Sequence, residues 1–203
     1  MNMSLPQPPH PILSLKGEDI SYSGSVALRN ISLSIAEGEK VALIGQSGAG
    51  KTTLLRRLYQ LRPKDCAFVH QHYALVPQLS VFHNIYMGRL DRYSSVHNLW
   101  NLIRPIACHV AEIKPIVEKL GLQDKLFNKT GELSGGQQQR VGIGRALYGG
   151  GSILMADEPV SSLDLVQGKE LMELIANAGN TVISTLHSVD LSRQFFNRII
   201  GLR

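Results

Sequence analysis

A mainly parallel α/β fold is predicted for this chain of 203 residues by three observations. An apolar run, Val41 to Ile44, feeds the glycine-rich stretch "GQSGAGKTT" (Gly45 to Thr53), and a helical pattern follows directly. A second apolar run, "SILMA" (Ser152 to Ala156), ends on the acidic pair Asp157 and Glu158. Around these, strand-like and helix-like segments alternate, as crossover helices on a parallel sheet require.

Met1 to Pro11 carries four prolines and few apolar residues and reads as a disordered arm, leaving 12–203 as the folded domain. "ISLSIAEGEKVALIG" holds two strand-like segments separated by the turn signal "AEGE". Lys51 to Leu61 is predicted helical, with Leu54, Leu55, Leu58 and Leu61 on one side. "CAFVH" (Cys66 to His70) is a short strand. Trp100 to Leu120 reads as largely helical, with Pro105 and Pro115 at breaks or first turns. A further helix runs from Gln137 to Tyr148 and stops at the glycines 149 to 151. Strand "SILMA", helix Leu165 to Ala178, strand "TVISTL" (Thr181 to Leu186) and strand "RIIGL" complete the order.

No apolar run approaches the roughly 20 residues that span a bilayer, and the N-terminus lacks the charged-then-apolar order of a secretory signal. The expectation is a soluble chain that is free to dock on a membrane protein. Cys66 and Cys108 lie far apart and read as reduced, partly buried thiols. The net charge of +5 suits phosphate ligands, nucleic acid or an anionic membrane surface, and decides nothing alone.

The stretch from Gly45 fits G-x-x-x-x-G-K-[ST], a phosphate-binding loop. Its consecutive backbone N–H groups can turn onto anionic oxygens because Gly45, Gly48 and Gly50 permit the dihedrals, with Gln46, Ser47 and Ala49 between them. The helix that starts near Lys51 points its positive end at the same place, through Lys51, Thr52 and Thr53. Lys51 supplies charge for β- and γ-phosphates, and the Thr52 hydroxyl can coordinate Mg²⁺. Asp157 sits where a carboxylate can hold Mg²⁺ through water, and Glu158 is the candidate for polarising the attacking water. His70 and His72 flank Gln71; two histidines without a third ligand are weak evidence for a further metal.

"LSGGQQQR" (Leu133 to Arg140) lies between the two nucleotide elements. With it, the chain resembles the ATP-binding cassette (ABC) ATPases from about Ile20 to Arg203. Tyr22 precedes the loop, Gln71 follows a strand, "SSLD" (Ser161 to Asp164) follows the acidic pair, and His187 ends "TVISTLH". The resemblance implies a RecA-like core, a helical signature subdomain at about 75–140 and an antiparallel β-subdomain. It implies ATP and Mg²⁺ as cofactors, with Tyr22 against adenine and with Thr52, Gln71 and Asp157 at the metal. Glu158, His187 and Gln71 would be catalytic. Ser134, Gly135, Gly136 and Gln137 would meet the ATP held by a second subunit in a head-to-tail homodimer, and Asp164 would cross that interface.

"LVPQLSVFHNIYMGRL" (Leu75 to Leu90) and the "SSVHNLWNLI" that follows are similar to the ATPases of phosphonate importers. That resemblance implies integral membrane permease partners, an indirect link to a periplasmic or lipoprotein substrate-binding protein, and a peripheral place on the cytoplasmic side of the inner membrane. Val81, Phe82 and Tyr86 are expected to face a groove for a short permease helix. A soluble accessory ATPase in phosphonate metabolism stays open beside transport. Nucleic-acid partners are not implied, since such relatives carry coiled coils, zinc inserts or a second cassette. One departure stands out: only 20 positions separate Lys51 from Gln71, an interval that is usually much longer in the family and carries antiparallel strands. Gly142 and Gly144 in the signature helix are expected to soften it by about 0.5–1 kcal/mol each. The end at Arg203 leaves no C-terminal extension in the expected domain.

Overall fold

A computed structural model describes residues 11–22, 24–70, 74–161, 163–179 and 181–203. Two strands, β1 (Pro11–Tyr22) and β2 (Ser25–Ala36), form an antiparallel hairpin. Five more form a parallel sheet: β3 (Lys40–Gly45), β4 (Cys66–Val69), β5 (Ile153–Asp157), β6 (Thr181–Leu186) and β7 (Arg198–Leu202). Their order across the sheet is β4-β5-β6-β3-β7. The predicted fold class therefore holds, and the antiparallel part is reduced to one hairpin among the described residues.

Period-two side chains on the buried strands divide between two apolar layers. Val41, Leu43, Ile153, Met155 and Ile183 face one layer, which the hairpin (Leu13, Leu15, Leu33, Ile35) and α1 (Lys51–Leu61, through Leu54, Leu55 and Leu58) close. Ala42, Leu154, Ala156 and Val182 face the other layer. There they meet the helical part of the chain, chiefly α2 (Val81–Tyr86), α4 (Ala107–Lys119), α5 (Gly135–Gly149) and α6 (Leu165–Ala176). Helix α3 (Ser95–Ile103) lies between α2 and α4 in sequence, and α7 (Val189–Phe195) between β6 and β7.

Several expectations need correction. Pro11 opens β1 and so belongs to the fold, not to an arm. The helical stretch is two helices parted at Arg104–Ile106, and Pro115 lies inside the second. A mid-helix proline is tolerated there because Pro115 and Ala111, whose carbonyl loses its partner, are both exposed to water. Val81, Phe82 and Tyr86 do not face a groove: they are 0%, 0% and 3% exposed and pack in the helical core. Gly144 is no mere softening, because an added methyl would press on Leu120 and Ile85; the helix is glycine there so that α2 and α4 can approach. Cys108 is exposed, whereas Cys66 is partly buried and burial pushes its thiol up to about 11.

The segment from Val76 to Ser80 is pinned by one amide. Asn84 is fully buried; its Oδ1 accepts from Val76 N at 2.8 Å, and its Nδ2 donates to Ser80 O at 3.0 Å and Thr130 Oγ1 at 3.2 Å. Asn84→Leu keeps the volume and strands these groups, so it should lower the unfolding free energy by about 1–3 kcal/mol in a urea titration.

A second polar chain ties α3, α4 and α5 together. His97 Nε2 and His109 Nε2 are 2.9 Å apart, His109 Nδ1 is 3.3 Å from Tyr148 Oη, and Tyr148 Oη donates to Glu112 at 2.9 Å. Arg89 pairs with Glu112 at 3.0 Å. Burial holds the His109 pKa below its ordinary 6.5, against the upward pull of Glu112, and burial lowers His70 and His83 likewise. The unfolded chain thus binds more protons near pH 6.5, so stability is full above that value and falls as pH drops below it. Denaturant titrations at pH 7.5 and pH 5.5 should show that loss, with a smaller loss in His109→Gln.

Candidate functional site

The phosphate loop leaves the end of β3 and returns into α1. Gly48 (φ 83°) and Gly50 (φ 89°) take left-handed conformations, and Gly50 caps α1 with no side chain in the way of the helix N-terminus. Ala49 N donates to Gln46 O at 3.2 Å and holds the turn closed. Lys51 is only 4% exposed; its Nζ donates to Gly45 O at 2.9 Å and Gln46 O at 3.1 Å, which satisfies a buried ammonium beneath the loop.

Asp157 ends β5 beside this loop and is buried. Its Oδ1 accepts from Thr52 Oγ1 at 3.0 Å and from Thr185 Oγ1 at 2.8 Å. Thr185 Oγ1 in turn accepts from Glu158 N at 2.8 Å. Glu158 has φ 47°, a left-handed conformation uncommon for a non-glycine residue, which turns the chain sharply at the strand end. Its Oε1 lies 2.7 Å from His187 Nε2 on the loop after β6. Lys51, Thr52, Asp157, Glu158 and His187 are thereby brought to one end of the parallel sheet.

Other predicted site residues lie elsewhere. Ser134 caps α5 in a reciprocal capping box: its side chain accepts from Gln137 N, and Ser134 N donates to Gln137 Oε1 at 3.1 Å. Ser134 and Gly135 are exposed, and Gly136 packs close to Leu163 and Gln167 at the start of α6. Asp164 caps α6, accepting from Val166 N and Gln167 N at 2.9 Å each. Tyr22 is 54% exposed, with the Arg56 guanidinium 5.9 Å from its ring centroid. Gln71, His72 and Ser162 lie outside the described residues. Among the described residues no cluster of three or more His, Cys, Asp or Glu could hold a metal, and no helix is long and apolar enough to cross a membrane.

Sequence reasoning missed Thr185. Its signal was present as "ST" inside the otherwise apolar strand "TVISTL": a fully buried hydroxyl in a central strand needs a partner.

A parallel sheet in this order, with a phosphate loop on β3 and a buried strand-end acid two strands away on β5, defines the class of phosphate-loop nucleoside triphosphatases. Within that class the chain belongs to the ABC transporter family, whose model matches residues 28–161, and it is an ATP-binding, ATP-hydrolysing member. It is 39% identical to the "Phosphonates import ATP-binding protein PhnC 2" of Pseudomonas aeruginosa (strain UCBPP-PA14), over 94% of this chain and 82% of that one. It is 35% identical to the "Phosphonates import ATP-binding protein PhnC 1" of Nostoc sp. (strain PCC 7120 / SAG 25.82 / UTEX 2576), over 90% and 80%. Among solved structures it resembles the ATP-binding cassette MJ0796 as a dimer in a post-hydrolysis state bound to ADP and Pi. That likeness has a TM-score of 0.74 and 28% identity, and covers 95% of this chain and 94% of that one.

The alignment to the Pseudomonas relative has 221 positions, and 94% of this chain is about 191 residues; about 30 aligned positions therefore have no counterpart here. A deficit of that size agrees with the short interval from Lys51 to Gln71 and with the two-stranded antiparallel part.

Thr185→Val should leave the Asp157 carboxylate and the Glu158 amide each short of a partner. The expected loss in a urea titration is about 1–3 kcal/mol, with Thr185→Ser restoring most of it.

Proposed function

We propose that this chain supplies the ATP-driven step of an importer for a phosphonate or a related phosphorus compound. One observation carries the reading. The 2.7 Å contact of His187 with Glu158 stands beside the Thr52–Asp157 pair, in a chain whose curated relatives are named as phosphonate import ATP-binding proteins.

ATP lies with its phosphates in the loop of Gly45 to Thr53, and Lys51 exchanges its two carbonyl partners for β- and γ-phosphate oxygens. Tyr22 offers its exposed ring to adenine. The Thr52 hydroxyl and the Asp157 carboxylate are hard oxygen donors 3.0 Å apart, a set that fits Mg²⁺. Bound there, Mg²⁺ supplies charge that neutralises the phosphate oxygens. Glu158 draws the proton of the attacking water, and His187 holds its carboxylate in place. The family resemblance assigns Gln71 to the Mg²⁺ and the attacking water, and its loop to the permease. The exposed N-terminus of α5, with Ser134, Gly135, Gly136 and Gln137, meets the ATP of a second copy in a head-to-tail dimer. Asp164 crosses at the same interface.

Residues 11–203 act as one ATPase domain, with the helical subdomain at about 75–140. The permease contact is a groove of about 420 Å³ lined by Phe68, His70, Met87, Gly88 and Arg145. The chain works at the cytoplasmic face of the cell membrane, and a substrate-binding protein reaches it only through the permease.

Glu158→Gln should keep ATP binding and lower turnover by about 10²–10⁴-fold, with a dimer accumulating in Mg²⁺-ATP on size-exclusion chromatography. Unchanged turnover removes Glu158 from its role. Lys51→Ala should instead weaken nucleotide binding itself. Affinity purification of the Glu158→Gln chain from solubilised membranes should bring down a permease; recovery of soluble partners alone overturns the transport reading.

A further inference from the structure

Two arginines of α1 reach back onto the first strand of the hairpin. Arg57 Nε donates to Glu18 Oε2 at 2.9 Å, and its Nη2 lies 2.8 Å from the same oxygen. The exposed Arg56 beside it places its guanidinium carbon 5.9 Å from the centroid of the Tyr22 ring. Consecutive side chains on a helix diverge by about 100°, so the pair spreads over β1 from Glu18 to its last residue. Farther in, the hairpin is already seated on the phosphate loop. A methyl built on Gly50 would come within 2.9 Å of Leu28 Cδ2, and Leu28 pairs with Ile20. A cavity of about 570 Å³ lies beside that contact, lined by Ala27 and by the loop from Gly45 to Ala49.

Tyr22 stands beyond these packed residues, at the end of β1 opposite Ser25. The Ser25 hydroxyl donates to Tyr22 O at 3.1 Å, which holds the backbone there and leaves the side chain to other contacts. A ring 54% exposed makes a poor stacking surface unless something orders it, because the ligand must otherwise meet the cost of fixing it. Arg56 can do that ordering: a guanidinium within about 6 Å of a ring centroid is attracted to the π face. A cation on one face leaves the opposite face for an aromatic ligand. We propose, on the reading of Tyr22 as the adenine platform, that Arg56 is a positioning residue for the nucleobase. It backs one face of Tyr22 so that the other is held ready for the purine. The antiparallel part of this chain is one hairpin among the described residues, and α1 is the helix that packs on β1. Arg56 and Arg57 therefore hold the outer end of the hairpin from the same helix that begins at the phosphates.

A double-mutant cycle on the full chain tests this, with binding of ADP in Mg²⁺ read by calorimetry so that turnover does not enter. Tyr22→Ala should weaken ADP by about fivefold or more, the loss of one base stack. Arg56→Ala should weaken it by about two- to fivefold. In the Tyr22→Ala background Arg56→Ala should cost nothing further, since no ring is left to hold. An arginine that merely supports the fold, or one drawn to the phosphates, gives the same loss in both backgrounds, and that result overturns the proposal. A loss in Tyr22→Ala with none in Arg56→Ala overturns the role of Arg56 and leaves Tyr22 as the adenine platform. Unchanged ADP binding in Tyr22→Ala removes Tyr22 from the base site, and the role of Arg56 falls with it. None of these outcomes touches the assignment of Glu158 or the cargo.

Discussion

The buried carboxylate of Asp157 is the constraint on which the rest of the site depends. An acid at a strand end with almost no access to water must be compensated, and two hydroxyls do so, from Thr52 and Thr185. Those hydroxyls come from different elements, the first turn of α1 and the middle strand β6. One oxygen therefore fixes the phosphate loop against β5, and β5 against β6 at the pairing of Asp157 with Thr185. The sharp turn at Glu158 follows from the same lock, because Thr185 also receives the Glu158 amide. The Glu158–His187 contact is then geometry inherited from three fixed strand ends.

The helical part is organised by a different rule. Apolar packing of α2, α4 and α5 gives it a core, while buried polar groups decide how its loops run. Asn84 holds the segment from Val76 to Ser80, and the line from His97 through His109 and Tyr148 to Glu112 holds α3 to α5. Hydrogen bonds of this sort are directional, so they set one arrangement where apolar contact would accept several. They also leave the apolar side of α3 exposed among the described residues.

The parallel sheet was legible because its strands are apolar on both faces and short, and the loop and the acid sit at strand ends where residue type carries chemistry. The first strand of the hairpin was hidden for a local reason. Gly17 takes φ 60° and the register shifts between Leu15 and Ile20, so the buried residues Leu13, Leu15 and Ile20 lose their period of two. Helix α2 was hidden by its length, six residues being too few for a helical period to show. The same shortness made Val81, Phe82 and Tyr86 look like surface. Thr185 was missed because a hydroxyl in a strand reads as polarity, and only the partner strand reveals that it faces Asp157. The capping role of Ser134 went unread, and the helix was started two residues late at Gln137, although "SGGQ" carries the residues of a capping box.

The short connection from α1 to β4 changes how the sheet is assembled as well as how it looks. Only four residues, Arg62 to Asp65, join the end of α1 to β4, the outer strand that pairs with β5. Restoring about 30 residues there would raise the entropy cost of closing that loop by about 2 kcal/mol. Whatever support the absent strands would have lent to the hairpin is thus offset in part by a cheaper closure. The short connection ties β4 closely to α1, but its place in the sheet is beside β5, with Cys66 opposite Ile153, so this edge of the sheet is completed only by a long-range pairing.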